Sequence, residues 1–290
     1  MMKEIGKFFS DILKFGIKVF IVLFLITLVL VGFSGTKIEK SGVNLAEIKL
    51  SGAIIDESAI LKEIYSIQDD KNIKAVLLNI NSPGGAFAPS FEISNAIKEL
   101  NKEKPVIAYA SGTMASGSYL SGVWANKIYA NKGSFIGSIG VIMQGYNIEE
   151  LASKIGIKDQ VVKAGEFKEA GTIMRAWSQS ERQSLQDLVD KSYDLFVSEV
   201  ATARRLNKND ENLWANARVF LPDEALNLGL IDEISNYKKV KDEVVKISGV
   251  QNPVWKEKSK YDEFMDTFSS KVANLIMSEF SLKVRWIFKN

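Results

Sequence analysis

Hydrophobic and polar positions divide the chain into regimes. Val19 to Phe33 (VFIVLFLITLVLVGF) is a run of fifteen residues without a charge, and Phe15, Gly16 and Ile17 extend it across Lys18. At about 1.5 Å per residue, roughly twenty residues reach the ~30 Å hydrocarbon core of a bilayer, with Lys18 snorkelling to the interface. The pattern therefore predicts a basic flank over 1–14, a membrane-spanning segment over 15–34 and a polar linker over 35–44. Before the run, Lys3, Lys7, Lys14 and Lys18 outnumber Glu4 and Asp11, which holds this end in the cytoplasm and puts the rest of the chain outside. A cleaved leader fits the same stretch, because Gly32 and Ser34 are small residues at its end.

Beyond Asn44 the pattern changes to short β-branched runs alternating with helical spacing. Strands are predicted over 45–50, 75–80, 106–109 and 127–130, with helices over 59–68, 91–101 and 115–124 between them. Such β-α-β alternation implies parallel strands covered by helices, an α/β fold. A long amphipathic helix follows over 178–205, with Leu185, Leu188, Val189, Phe196, Val197 and Val200 on one face and Ser178 and Glu181 spaced as a capping box. In RVFLPDEALNLGLIDEI, Pro222 suits a first helical position and Gly229 a C′ position, so a short helix returns to a strand. The α/β domain is expected over 45–240 and a C-terminal extension over 241–290. In that extension 264–290 is amphipathic, a pattern compatible with packing on the domain, on a neighbouring subunit or on a membrane surface.

Composition removes whole chemistries. The chain has 290 residues, no histidine and no cysteine, so Ser-His-Asp and Cys-His nucleophiles, His- or Cys-ligated zinc and disulfides are all excluded. With 37 basic against 35 acidic residues the net charge is +2, which is no nucleic-acid signature. The 46% hydrophobic and 25% charged content suits a globular core. A chain without cysteine is compatible with an oxidising compartment.

Three glycine-rich turns follow predicted strands. The first, Asn81-Ser-Pro-Gly84-Gly85, permits positive φ and outward-pointing N–H groups, although a tight strand-to-helix turn would read the same way. In the second, Ser111-Gly-Thr-Met-Ala-Ser116-Gly-Ser-Tyr119, Ser116 could be a helix cap. It also lies between small neighbours, Ala115 and Gly117, at a helix start where an oxyanion is stabilised. The third is Gly137-Ser138-Ile-Gly140. Without histidine, lysine is the strongest remaining base for a serine. Its ordinary pKa, near 10.4, must fall by about three units, about 4 kcal/mol, for work near neutral pH. Burial supplies such a shift, so a catalytic lysine is expected to be one removed from water. Lys168, in Val161-Val-Lys-Ala-Gly-Glu-Phe-Lys168, is a candidate.

Five motifs in order, NSPGG, ASGTMASGSY, GSIGVIM, VVKAGEFKEAG and RVFLPDEALNLGLIDEI, resemble the signal peptide peptidase A (protease IV) family over roughly 45–235. The resemblance implies a crotonase/Clp-protease type of fold with repeated β-α-β units, joined to an N-terminal transmembrane helix. It implies Ser116 as nucleophile, Lys168 as general base, Ser138 as the serine that orients the lysine amine, and Gly85 and Gly117 as oxyanion-hole amides. Lys163 matches a non-catalytic position, and Ser118 stands where the family usually has glycine. No cofactor and no metal are implied. The resemblance is to short, single-unit members, for which a homo-oligomer is expected. The implied activity is a serine endopeptidase, anchored by a single pass in the inner (plasma) membrane with its catalytic domain on the extracytoplasmic (periplasmic) side, that cleaves remnant signal peptides and other apolar peptides. Two alternatives use the same motifs: a related protease cutting partner membrane proteins, and a catalytically silent peptide-binding scaffold. Crotonase-type acyl-CoA chemistry is disfavoured, because serines occupy the turns where that family typically places glutamate or aspartate.

Overall fold

In strands buried on both faces, successive side chains enter different cores, and the central sheet shows this directly. The computed structural model describes residues 42–256, so the predicted flank 1–14, the membrane-spanning segment 15–34, residues 35–41 of the linker and 257–290 of the extension lie outside the described residues. Strands β1 (Leu45–Ser51), β2 (Ala75–Ser82), β3 (Val106–Ala115) and β4 (Lys127–Ala130) pair in parallel in that order, and β7 (Glu233–Ile234) joins β4. On β2, Val76, Leu78 and Ile80 enter a large core while Ala75 and Leu77 enter a smaller one on the opposite face; on β3, Val106, Ala108 and Ala110 alternate likewise with Ile107 and Tyr109.

Helices α1 (Ser58–Asp69) and α2 (Phe87–Glu103) fill the larger core with Ile64, Ile67, Ile93, Ile97 and Leu100. Helix α3 (Gly117–Gly122) adds Tyr119 and Leu120. After the short α4 (Glu149–Lys154), the long α5 (Gln179–Arg204) contributes Phe196, Val197 and Val200 from the predicted amphipathic face. Its capping box forms as expected: Ser178 Oγ accepts from Glu181 N, and the Glu181 carboxylate accepts from Ser178 N. Short helices α6 (Glu211–Trp214) and α7 (Pro222–Asn227) follow, with Pro222 at the start of α7 and Gly229 at positive φ just beyond it. Helix α8 (Tyr237–Ser248) covers the second face of the sheet with Val240 and Val244. It was not predicted, and it runs through the expected 240/241 boundary, so material that covers the sheet continues into the segment read as an extension. Asn236 caps it and Gly249 ends it in a left-handed conformation.

The sequence-based elements need one correction that bears on function. Strand β3 was expected to end near 109 and a helix to begin at 115, whereas the strand continues to Ala115 and the helix starts at Gly117. The cause is a change of partner. Residues Ile107–Ala110 pair with β4, while Thr113–Ala115 pair with β5 (Phe135–Gly137), which in turn pairs antiparallel with β6 (Val219–Phe220). A strand supplied with a second neighbour stays extended where local pattern reads as a glycine-rich turn. The fold is α/β with a mostly parallel sheet, and among the described residues no helix is long and apolar enough to cross a membrane.

Candidate active site

The β2 and β3 ladder is interrupted just where the two strands approach the predicted nucleophile. Pairing runs regularly to Ile80 with Ala110 and resumes at Ser82 with Met114, so β3 carries extra residues. Asn81 occupies the gap: its Oδ1 accepts from Thr113 N at 3.1 Å, and a Cβ on Gly112 would lie 2.3 Å from that oxygen. Ser111 Oγ donates to Ile80 O at 3.2 Å.

Ser116 follows directly, with φ 53° and ψ −129°. This backbone conformation is costly for any residue with a Cβ, by about 1–3 kcal/mol, and persists only where the surroundings impose it. They do so here. Ser116 N donates to Gly137 O at 2.8 Å, and Ser116 O accepts from Tyr119 N and Leu120 N. Buried Tyr119 anchors the turn from below through a 2.7 Å hydrogen bond from its hydroxyl to Leu230 O, and burial pushes its phenol pKa up. Ser116 itself is half-buried, on a sharp turn between strand and helix.

The Ser82-Pro-Gly84-Gly85 turn packs against this elbow. Gly84 has φ 93°, and a Cβ there would meet Gly117 N at 2.6 Å and Ser116 Cβ at 2.8 Å. Gly85 bridges in parallel to Ile54, whose carbonyl oxygen would lie 2.0 Å from an added Cβ. The Cβ position of Gly117 is 3.3 Å from Gly85 N, so the two amides proposed for an oxyanion hole are neighbours. Among the described residues neither N–H is spent on another hydrogen bond. Ser138 also sits beside the elbow. It follows Gly137, the residue that holds Ser116 N, has φ 50° and donates its N–H to Arg218 O at 2.6 Å.

Lys168 differs in every respect. It lies in a 3₁₀ turn, Glu166–Glu169, with its side chain exposed. Among the described residues its amine has no hydrogen-bond or ion-pair partner, and it is joined to neither Ser116 nor Ser138. The expectation that packing removes this lysine from water is thus not met within the described chain, because the segment carrying it lies on the surface. Exposed Ile142, Met143, Tyr146, Ile155, Val162 and Phe167 mark the same stretch.

An ion-pair network that residue patterns did not reveal braces the Lys168 turn. Lys163 and Arg175 both bind Glu169, at 2.8 and 2.9 Å, and Arg175 binds Glu181 with two nitrogens at 2.7 and 2.8 Å. Glu181, foreseen only as a helix cap, is therefore also an anchor. The Arg175 guanidinium, with help from Ser178 N, lowers its carboxyl pKa to about 2. Bonds from Lys163 and then Arg175 pull Glu169 in the same direction. Near this network Met143, Gly145, Tyr146, Trp177 and Arg182 line a cavity of about 330 Å³; none of Ser116, Lys168, Ser138, Gly85 or Gly117 does. The described residues hold no group of acidic, histidine or cysteine side chains suited to a metal.

Comparison with known proteins places these features in context. Residues 98–251 match the model described as peptidase family S49, and residues 36–129 match that of Clp protease. A candidate protease of Synechocystis sp. is 34% identical over 71% of this chain and 75% of its own length. A candidate signal peptide peptidase SppA of Enterococcus faecium is 33% identical over 70% of this chain and 61% of its own. Protease 4 of Haemophilus influenzae is 27% identical over 67% of this chain, but only 33% of that longer protein is covered.

Proposed function

For a chain that belongs to peptidase family S49, and is therefore a serine peptidase, we propose an endopeptidase that works by a Ser116–Lys168 dyad on apolar peptides, remnant signal peptides among them. One observation carries the site: Ser116 is forced into a strained elbow beside two unspent amides, those of Gly85 and Gly117. In the reaction, neutral Lys168 takes the hydroxyl proton as Ser116 Oγ attacks the peptide carbonyl carbon. The negative charge that develops on the carbonyl oxygen is held by the two glycine N–H groups. Lys168 then gives the proton to the departing amine, leaving an acyl-enzyme on Ser116, and water hydrolyses the ester. Ser138, beside Gly137, is the residue proposed to orient the lysine amine.

The exposure of Lys168 adds a condition to this reading. A lysine serves as a base near neutral pH only when water is kept from it, and the surface around it is rich in exposed apolar side chains. The proposal accordingly includes a homo-oligomer, in which that surface is covered. It also includes anchoring by 15–34 in the plasma membrane, with the N-terminus cytoplasmic and the catalytic domain outside, which makes apolar membrane-derived peptides the nearest substrates.

The test is peptide cleavage by the full-length chain in detergent, together with Ser116→Ala and Lys168→Ala. Loss of cleavage in both variants is the expected result, and full activity in Lys168→Ala would remove the dyad. N-terminal sequencing of membrane-extracted protein tests the anchor, since a start near Gly35 would mean that the segment is cleaved off.

A further inference from the structure

Ser118 has a place in the site beyond its place in the helix. Its hydroxyl is fully buried and lies at the junction of the two turns. It accepts from Ala115 N at 2.9 Å and lies 2.7 Å from Ser82 O and 2.9 Å from Ala115 O. A hydroxyl has one proton to donate, and the shorter contact, to Ser82 O, is the one that links different strands. Ser82 Oγ in turn accepts from Gly84 N at 3.1 Å. A continuous path therefore runs from Ala115, just before the nucleophile, through Ser118 and Ser82 to Gly84, which precedes the first oxyanion amide.

The path lies beside the irregularity of the β2–β3 ladder between Ile80 and Ser82, at the point where pairing resumes with Ser82 opposite Met114. Gly85 N belongs to the turn after β2 and Gly117 N to the turn after β3. Their separation is set by contacts between the two turns rather than by either strand alone. In a buried setting each polar group must find a partner, so the hydroxyl favours one spacing strongly.

We propose that Ser118 is a positioning residue for the oxyanion hole: it locks the Ser82-Pro-Gly84-Gly85 turn to the Ser116 elbow and so fixes the distance between the Gly85 and Gly117 amides. The inference rests on the reading of those two amides as oxyanion donors.

The experiment uses the full-length protein and two variants, Ser118→Ala and Ser118→Gly, neither of which adds volume to the buried site. Three readouts are compared with wild type and with Ser116→Ala: the thermal midpoint, kcat and KM on one apolar peptide, and inhibition by a peptide aldehyde. The aldehyde adds Ser116 Oγ to its carbonyl and places an oxyanion in the hole. Misplacing one donor is expected to lower kcat about ten- to a hundredfold. KM should stay within about twofold, and aldehyde affinity should fall by the same factor as kcat/KM. A merely structural serine would lower the thermal midpoint yet leave kcat and aldehyde affinity unchanged, and that result overturns the proposal. So does a fall in kcat without weaker aldehyde binding. If one variant fails to fold, the other decides. Wild-type cleavage that survives Ser116→Ala would instead overturn the underlying site assignment, and is distinguishable for that reason.

Discussion

The elbow that carries Ser116 and the surface turn that carries Lys168 are built on opposite principles. Around the elbow, Met114, Gly117, Ser118, Tyr119 and Leu120 are buried, Ser116 N is held by Gly137 O of β5, and the Gly84-Gly85 turn is held by Ile54. The strain at Ser116 is sustained because the neighbouring core would be disrupted by relaxing it. Around Lys168 the chain is anchored at few points, by Glu169 to Lys163 and Arg175 and by Glu181 to Arg175, while Val162 is fully exposed at 103% and Ile142 is 81% exposed. The difference teaches where each half of the proposed serine–lysine pair would acquire its reactivity. A nucleophile and its oxyanion donors need geometry, which a core provides, whereas a lysine base needs exclusion of water, which an exposed turn lacks by itself.

The sharpest test of this contrast is Lys168→Met. On an exposed turn it should leave the thermal midpoint within about 1 °C while reducing kcat by more than about a thousandfold, as expected for loss of a base. A large fall in stability, read by thermal unfolding, would mean that the turn is as deeply integrated as the elbow. Next comes Gly85→Ala. The new Cβ would sit 2.0 Å from Ile54 O, a backbone atom that cannot swing away. A loss of about 1–3 kcal/mol in chemical denaturation is expected, together with loss of activity. Wild-type stability there would show that the turn yields easily.

Ser116→Gly should act in the reverse direction. Glycine adopts the φ of 53° without the Cβ penalty, so about 1 kcal/mol of strain is released and the midpoint rises while cleavage disappears. A fall in the midpoint would show that the elbow is not strained. The smallest effect concerns pH. Glu181 is held at about 2, below its ordinary 4.5, so its contribution to stability is present above about pH 4.5 and declines as the pH falls towards 2. Glu169 shifts in the same direction. Limited proteolysis within 157–176 should therefore increase below about pH 4.5 in the wild type. In Glu181→Gln it should already be raised at pH 7, and a pH profile identical in the two proteins would remove the anchor.

Local pattern singled out Ser116 as a candidate between small neighbours, with a plain helix cap as the competing reading, and family likeness assigned it the role of nucleophile. The candidate lysine was readable only as one cation among many until family likeness selected it. Ser118, Ser82 and Asn81 were unreadable as parts of the site: each is an ordinary small polar residue, and its role comes from a partner in another strand. Arg175 was missed for the same reason, while Glu181 was noticed solely through its three-residue spacing from Ser178. Helix α8 left signals that could have been used, with Asn236 before it, Val240 and Val244 four apart, and Gly249 after it.

By itself the sequence determined the things that depend on near neighbours: the alternation of strands and helices, the capping box at Ser178, the stop at Gly229, and a chemistry without histidine or cysteine. Only the tertiary structure decided how far β3 runs, which face α8 covers, how the Gly84 turn meets the Ser116 elbow, and that Lys168 lies on the surface of the single described chain. The physical reason is range. Period and capping are settled by residues three or four positions apart, whereas a strand's partners, the approach of two turns and the burial of a charge are settled by residues dozens of positions away that only packing brings together.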